Sequence, residues 1–234
     1  MPMRHQTADI ACAFVGASAR QRNIASEHAF SRVYPIKRKG IRMVKIAKAK
    51  VLILATDGFE QSELEVPLTK LRGVAQLVHV AAPKNRKDKK SIMGWKEDDW
   101  GDPINVDVEL GDASANFYDA LVLPGGQINP DTLRQSPEAM ALIKDFLASG
   151  KVVAAVCHAP WLLIEANAVK GRRATSYSSI KTDMINAGAN WVDEPVVADK
   201  GIVTSRNPGD LDAFVAKIIE EIEEGKHDRA TLAA

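Results

Sequence analysis

The sequence predicts one α/β domain whose mostly parallel sheet is covered by helices on both faces. Three observations carry this. Short apolar runs, Val51–Ala55, Tyr118–Leu123 and Val152–Val156, have the length and content of strands buried on both sides. Each of the three is followed at once by a turn-forming stretch, T-D-G-F-E, P-G-G-Q or C-H-A-P, and then by a stretch of helical spacing or a helix-start signal. The chain then ends on an unambiguous amphipathic helix, with Leu211, Phe214, Val215, Ile218, Ile219 and Ile222 on one stripe and charged residues opposite.

Taken in order, Val51–Ala55 is the first and central strand. The helix after it carries Leu64, Leu68 and Leu71 on one face, and Pro67 is expected to kink it or mark its start. Leu77–Ala82 is the second strand. Residues 84–103 form a polar excursion, read as a solvated hairpin or loop, with Trp95 and Trp100 available to a pocket or a subunit contact. Ile104–Leu110 alternates as a half-buried strand does. Ser136 and Pro137 open a helix as N-cap and first residue; Leu142, Ile143, Phe146 and Leu147 form its buried face and Gly150 ends it. Beyond residue 160 come a short helix through Leu162–Ile164, a strand over Arg173–Ser176, a helix over Ile180–Asn186, and short strands around Val196–Val197 and Ile202–Thr204.

The segment K-V-V-A-A-V-C-H-A-P-W, residues 151–161, organises the rest. A buried strand ends on Cys157, and Pro160 suits the first turn of a helix because its missing N–H has no helical partner there. Cys157 is thereby placed at the carboxyl end of a strand, where open α/β sheets put their ligand crevices. Two readings fit: a nucleophilic cysteine on a strand-to-helix elbow, made acidic by the helix terminus, or an inert buried thiol. Gly125 and Gly126 after the third strand fit a plain tight turn or a turn that aims N–H groups at an anion. Glu60, just past the first strand, fits an exposed first-turn carboxylate favoured by the helix dipole.

The 234 residues are 46% hydrophobic and 26% charged, an ordinary globular balance. No apolar run is long enough to cross a bilayer. Cys12 and Cys157 suggest no disulfide framework, which points to a reducing compartment. The P-loop, the GxGxxG fingerprint and zinc-type Cys/His spacing do not occur. The net charge of +1 hides a split: residues 1–50 carry 11 Lys/Arg against Asp9 and Glu27, while the remainder carries 20 Lys/Arg against 28 Asp/Glu. Residues 1–48 are therefore read as a basic extension. Three origins fit residues 1–42: a transit-type peptide, a basic arm for nucleic acid, or a reading frame extended upstream of a true start at Met43, which is favoured. Residues 49–226 form the domain and 227–234 a tail. The acidic balance of the domain speaks against nucleic acid as a partner.

Three stretches, D-G-F-E-Q-S-E-L-E-V-P-L, A-L-V-L-P-G-G and A-V-C-H-A-P-W-L-L-I-E-A, resemble the PfpI-type intracellular peptidases. These belong to the class I glutamine amidotransferase-like superfamily, which also contains the parkinsonism-associated deglycase protein. Later segments, K-G-R-R-A-T-S-Y, I-K-T-D-M-I-N-A-G-A-N-W-V-D and V-T-S-R-N-P-G-D-L, resemble the same family in the same order, so the resemblance spans about residues 49–224. It implies a flavodoxin-like three-layer α/β/α sandwich. It implies Cys157 as nucleophile, His158 as its assisting histidine, Glu60 as the acid beside the sulfur, and Gly126 with the His158 N–H as an oxyanion hole. It implies Asp131 as a carboxylate acting across a subunit interface, and hence a homodimer or hexamer. Gly125, Ala159 and Trp161 are expected to line the pocket, Ala159 and Trp161 standing where the family usually has C-H-G-P-Q. The absence of a downstream His-x-Glu argues against ammonia transfer from glutamine.

The resemblance implies a cytoplasmic, cysteine-dependent stress-response enzyme without metal or cofactor. Its substrates would be methylglyoxal- or glyoxal-derived adducts, free dicarbonyls or peptides, with Cys157 held as a thiolate by the helix terminus and His158. Trp161 at the pocket favours a small substrate. The alternative is a non-enzymatic stress protein, redox-sensing or chaperone-like, using an oxidisable cysteine.

Overall fold

The computed structural model describes residues 44–229. The readings of residues 1–42 and Cys12 lie outside the described residues. A strand β1 (Lys50–Leu54) starts the sheet, and a two-residue β2 (Phe59–Glu60) leads into helix α1 (Gln61–Arg72). Then follow β3 (Leu77–Ala82), β4 (Ser91–Lys96), β5 (Asp99–Asn105), β6 (Val108–Glu109) and β7 (Ala120–Leu123). Helices α2 (Ile128–Arg134) and α3 (Pro137–Ala148) precede β8 (Val152–Val156) and α4 (Pro160–Glu165). The remainder is β9 (Arg173–Ala174), α5 (Lys181–Asn186), β10 (Asn190–Trp191), β11 (Val196–Asp199), β12 (Ile202–Ser205) and α6 (Leu211–Glu224).

Seven strands form the main sheet in the order β11-β12-β8-β7-β1-β3-β6. Every pairing is parallel except β11 with β12, so only that edge reverses. Alternate residues of the central strands feed two separate cores. Val51, Ile53, Val122, Ala154 and Val156 meet Leu64, Leu68 and Leu71 of α1 and Phe214 and Ile218 of α6. Leu52, Leu54, Leu121, Leu123, Val153 and Ala155 meet Met140, Ile143 and Phe146 of α3 and Leu162 and Leu163 of α4. This is the expected three-layer α/β/α sandwich, and the continuous apolar character of the strands follows from burial on both faces.

The local signals act as expected at α3, where Ser136 Oγ accepts the Ala139 N–H and Pro137 occupies the first position. Elsewhere the structure differs. Helix α1 runs through Pro67, which is buried, instead of starting there. The loss is confined to one N–H, and the apolar face on both sides of Pro67 stays packed. The excursion at 84–103 contains a real hairpin, β4–β5, in which Trp95 and Trp100 pair edge to face at 5.5 Å. The hairpin is tied to the loop after β1, where Gly58 donates to Met93 O and Met93 N–H donates to Asp57 Oδ1. The strand expected over Ile104–Leu110 divides between β5 and β6, which serve different sheets. Helix α2 was not expected, because P-G-G-Q-I-N-P-D reads as turn throughout.

Of the expected tail, His227 and Arg229 lie against the domain. His227 N–H donates to Gly150 O, and Arg229 donates to the carbonyls of Phe146, Leu147, Lys151 and Lys200. Among the described residues no helix is long and apolar enough to cross a membrane.

Phe214 is fully buried between α6 and the sheet. Phe214→Ala is expected to lower unfolding stability by about 3–5 kcal/mol through lost transfer energy and the cavity left behind. Urea denaturation followed by circular dichroism measures this directly.

Candidate active site

The carboxyl ends of β1, β7 and β8 lie side by side. From β8 the chain turns at Cys157, which has φ of 62°, a left-handed conformation unusual for a side chain with a Cβ. The conformation is held from both sides: Cys157 N–H donates to Ser205 O at 3.0 Å, and Tyr177 N–H donates to Cys157 O at 2.8 Å. Such strain persists only where surrounding structure fixes it, and it clusters at functional sites. The elbow inferred from the sequence is therefore present, with Pro160 at the start of α4.

Beneath the thiol lies a carboxyl group, and it belongs to Glu63. This corrects the expectation for Glu60. Glu60 caps α1: its Oε2 accepts from the Glu63 N–H at 2.8 Å and from Ser62 Oγ at 2.6 Å. One turn further on, Glu63 is completely buried, and its Oε2 accepts the Gly125 N–H at 2.8 Å. Burial first, and then the charge of Glu60, push the Glu63 carboxyl up to about 8, although its interaction with Cys157 and the N–H groups of Gly125 and Gly126 oppose this. Glu63 is thus an acid at neutral pH. A carboxylic acid donates where a carboxylate only accepts. Its Oε1 is buried without a hydrogen-bond partner among the described residues.

Burial, followed by the Glu63 charge, raises the Cys157 thiol, while the N–H groups of Gly126 and His158 act in the opposite direction. Burial favours the thiol form here, against the thiolate that the sequence reading expects. The physical reason is visible in the turn. The N–H groups of Ala159, Trp161 and Leu162 bond to carbonyls within the turn, and α4 is only six residues long. The helix terminus therefore offers the sulfur little.

Gly125 and Gly126 are required by space. A Cβ on Gly125 would lie 2.5 Å from Glu63 Oε2 and 2.7 Å from both Cys157 Cβ and Val156 O. Gly126 has φ of 79°, and a Cβ there would strike the backbone of Gly58 and Glu60 at 2.7 Å. Gly125 is a spacer between Glu63 and Cys157, not a pocket wall, and Gly126 presents its N–H to the sulfur. Asn129, fully buried, holds this turn to the end of β1: it donates to Pro124 O at 2.8 Å and accepts from Thr56 N–H at 2.8 Å. Nothing in the sequence pattern singles Asn129 out.

On the other side of the sulfur, His158 Nδ1 lies 3.1 Å from Cys157 Sγ, and Nε2 lies 3.0 Å from Ser179 Oγ. Tyr177 stacks on the imidazole at 4.8 Å and Trp161 meets it edge-on at 5.2 Å. Burial pushes the imidazole below its ordinary value, so it is neutral in the resting site. Trp161 is fixed by its Nε1–H, which donates to Asp183 Oδ2 at 2.8 Å, and by Arg134, 5.8 Å above its ring. Ala159, expected in the pocket, is fully buried in the core beside Leu162 and Leu163, because the turn directs it inward. Asp131 is exposed in the first turn of α2 and is not among the partners of His158 within the chain. Glu63, Tyr177, Ser179 and Asn129 are the residues that sequence reasoning missed.

Among the described residues one group has metal-ligand potential: Glu221, Glu224 and His227, whose ligand atoms lie within 4.8 Å of one another. It sits beside Gly150, at the opposite end of β8 from Cys157, and His227 Nε2 is already 3.2 Å from Glu221 Oε2.

The structure is a mostly parallel α/β sandwich that carries a cysteine on a strained elbow, between a buried acid and a histidine. The family model described as DJ-1/PfpI matches residues 49–221. The chain belongs to this DJ-1/PfpI family. It is 37% identical over 171 residues to the Pyrococcus furiosus protein named deglycase PfpI, covering 73% of this chain and 98% of that one. It is 38% identical to protein/nucleic acid deglycase 2 of Escherichia coli, covering 70% and 92%. Drosophila melanogaster DJ-1beta superimposes with a TM-score of 0.66 at 28% identity, covering 76% of this chain and 91% of that one.

Proposed function

We propose that this protein is a cysteine-dependent deglycase that removes small dicarbonyl adducts, such as those of methylglyoxal, from amino groups. The observation that carries this is the set of three groups on one sulfur: a protonated Glu63 on one side, the His158 Nδ1 on the other, and the N–H groups of Gly126 and His158 facing it. The relatives named deglycase supply the substrate class. Cys157 is only 5% exposed and the rings of Tyr177 and Trp161 flank its histidine, which favours a small adduct over an extended peptide.

The chemistry balances with water alone. The Cys157 S–H proton passes to His158 Nδ1, and the sulfur bonds to the carbinol carbon of the adduct as its C–N bond breaks. The departing amine takes the proton from His158. The enzyme then holds a hemithioacetal. A proton moves from its carbinol carbon to the adjacent carbonyl carbon, and the carbinol hydroxyl proton passes to the former carbonyl oxygen, which gives a lactoyl thioester. Water cleaves the thioester to lactate and restores the thiol. The proton shift and the thioester hydrolysis build charge on an oxygen, and the Gly126 and His158 N–H groups are the donors in reach. Glu63 and His158 are the two groups able to hold or return a proton.

The test is preformed methylglyoxal adduct on an N-acetylated amino acid, with lactate and free amine counted per Cys157. Many turnovers are expected. A single equivalent followed by arrest would mean an oxidisable or alkylated thiol instead, and equal rates on free methylglyoxal would move the reading to a glyoxalase.

A further inference from the structure

We infer that Ser179 is the positioning residue of this site, the group within the same chain that fixes the tautomer of His158 by accepting its Nε2–H. The inference rests on the reading of Cys157 and His158 as the reacting pair and assigns the third member.

The imidazole has two nitrogens and two polar neighbours. Nδ1 is 3.1 Å from the sulfur and Nε2 is 3.0 Å from Ser179 Oγ. To receive the thiol proton, Nδ1 must present a lone pair, so the single ring proton must sit on Nε2. A hydroxyl oxygen at hydrogen-bond distance there holds it in that form. When the Cys157 S–H bond breaks and a new N–H bond forms at Nδ1, the Nε2–H stays on Ser179. That bond then strengthens, because its donor has become an imidazolium.

Among the described residues the ring's other neighbours offer it no competing acceptor. Tyr177 stacks on one face, and Trp161 meets the ring with its own Nε1–H committed to Asp183. Arg134 lies over Trp161 and is paired with Glu165. Glu63 lies beyond the sulfur, with its Oε2 on the Gly125 N–H. Ser179 itself stands on a short 3-10 turn, Ser178–Ile180, anchored by buried Ile180 and by the Ile180 N–H to Tyr177 O. The same segment supplies the Tyr177 N–H that holds Cys157 O. One loop therefore fixes both the backbone of the cysteine and the ring of the histidine.

A neutral acceptor has a specific consequence. A carboxylate on Nε2 would stabilise the imidazolium and raise its basicity; a hydroxyl leaves the buried ring weakly basic and ready as a neutral base down to lower pH. The pH profile of kcat/KM therefore separates a positioning role from a packing role.

The experiment uses the full chain and the methylglyoxal adduct of an N-acetylated amino acid, with Ser179→Ala, Ser179→Thr, Ser179→Asp, Asp131→Asn and Cys157→Ser. Ser179 is exposed, so its substitutions test the hydrogen bond and not the core. Ser179→Ala is expected to lower kcat about ten-fold with KM little changed, the size of one lost hydrogen bond. Its acid limb is expected to move to lower pH, because the imidazolium loses its acceptor. Ser179→Thr, which keeps the hydroxyl, is expected to restore most of the rate, and Ser179→Asp to move the acid limb to higher pH. Unchanged kcat and acid limb in Ser179→Ala would overturn the assignment. So would a loss carried by Asp131→Asn in place of Ser179→Ala, which would hand the role to a carboxylate from a second copy. If Cys157→Ser retained full turnover, the reading of the reacting pair itself would fall, an outcome distinct from either.

Discussion

Cys157→Ser is expected to lower turnover of the methylglyoxal adduct by at least about 10³-fold while leaving the fold intact, because removing a covalent nucleophile abolishes the pathway it opens. Serine is the informative substitution at this position. It has nearly the size of cysteine and carries the same Cβ into the same left-handed backbone, so it neither relieves nor adds strain at φ 62°. It also retains a polar hydrogen between Glu63 and His158 Nδ1. What it lacks is acidity: a buried hydroxyl beside a neutral imidazole gives up its proton far less readily than a thiol. The measurement is lactate released under saturating adduct, with urea denaturation of both proteins as the structural control. A serine variant with wild-type turnover would show that the sulfur is not the reacting atom.

Glu63→Gln is expected to have the largest pH-dependent effect on stability. The carboxyl titrates near 4.5 when unfolded and at about 8 when folded. Between these values the native state keeps a proton that the unfolded state has released. Stability therefore falls as pH rises through this window, levels above about 8, and is unaffected below about 4.5. The full span amounts to on the order of 5 kcal/mol. Glutamine keeps the shape and still accepts from the Gly125 N–H, but it does not titrate, so this slope disappears. His158 acts in the opposite sense. Its folded value lies below its unfolded one, so its contribution rises with pH up to the unfolded value. Because His158 is present in both proteins, the difference between them isolates Glu63. Urea unfolding at pH 5, 6.5 and 8 is the measurement. Parallel stability curves for the two proteins would mean that Glu63 is already ionised at neutral pH.

The two carboxylates also show where sequence reasoning stops. The elbow is legible because its signals are local: a β-branched run sets β8, and Pro160 sets the start of α4. Glu60 and Glu63 are separated by less than one helical turn, and choosing between them depends on where α1 begins. With Glu60 as the cap, its side chain turns back onto the first N–H groups, and position 63 joins Pro67 and Leu71 on the buried face at intervals of four. A carboxylate in register with an apolar stripe was thus the available signal, and the interrupting proline obscured it. Ser179, Tyr177 and Asn129 carry no comparable mark. They reach Cys157 and the P-G-G turn only because β8, β7 and β1 lie side by side, which is a property of the assembled sheet.

The four carbonyls gathered by Arg229 have a consequence for the order of events during synthesis. The end of α3 and the start of β8 are complete long before residue 229 leaves the ribosome, yet the carbonyls of Phe146, Leu147 and Lys151 receive a charged donor only from that side chain, Phe146 and Leu147 being met until then by Ser149 Oγ and the Gly150 N–H. Until it arrives, the spare lone pairs of these carbonyls face water, and the seam between helix and strand lacks its charged clamp. The seam is thus clamped by a residue made late, so the nascent chain passes through a stage in which the sheet can be assembled while one end of a core helix is held by its local turn alone.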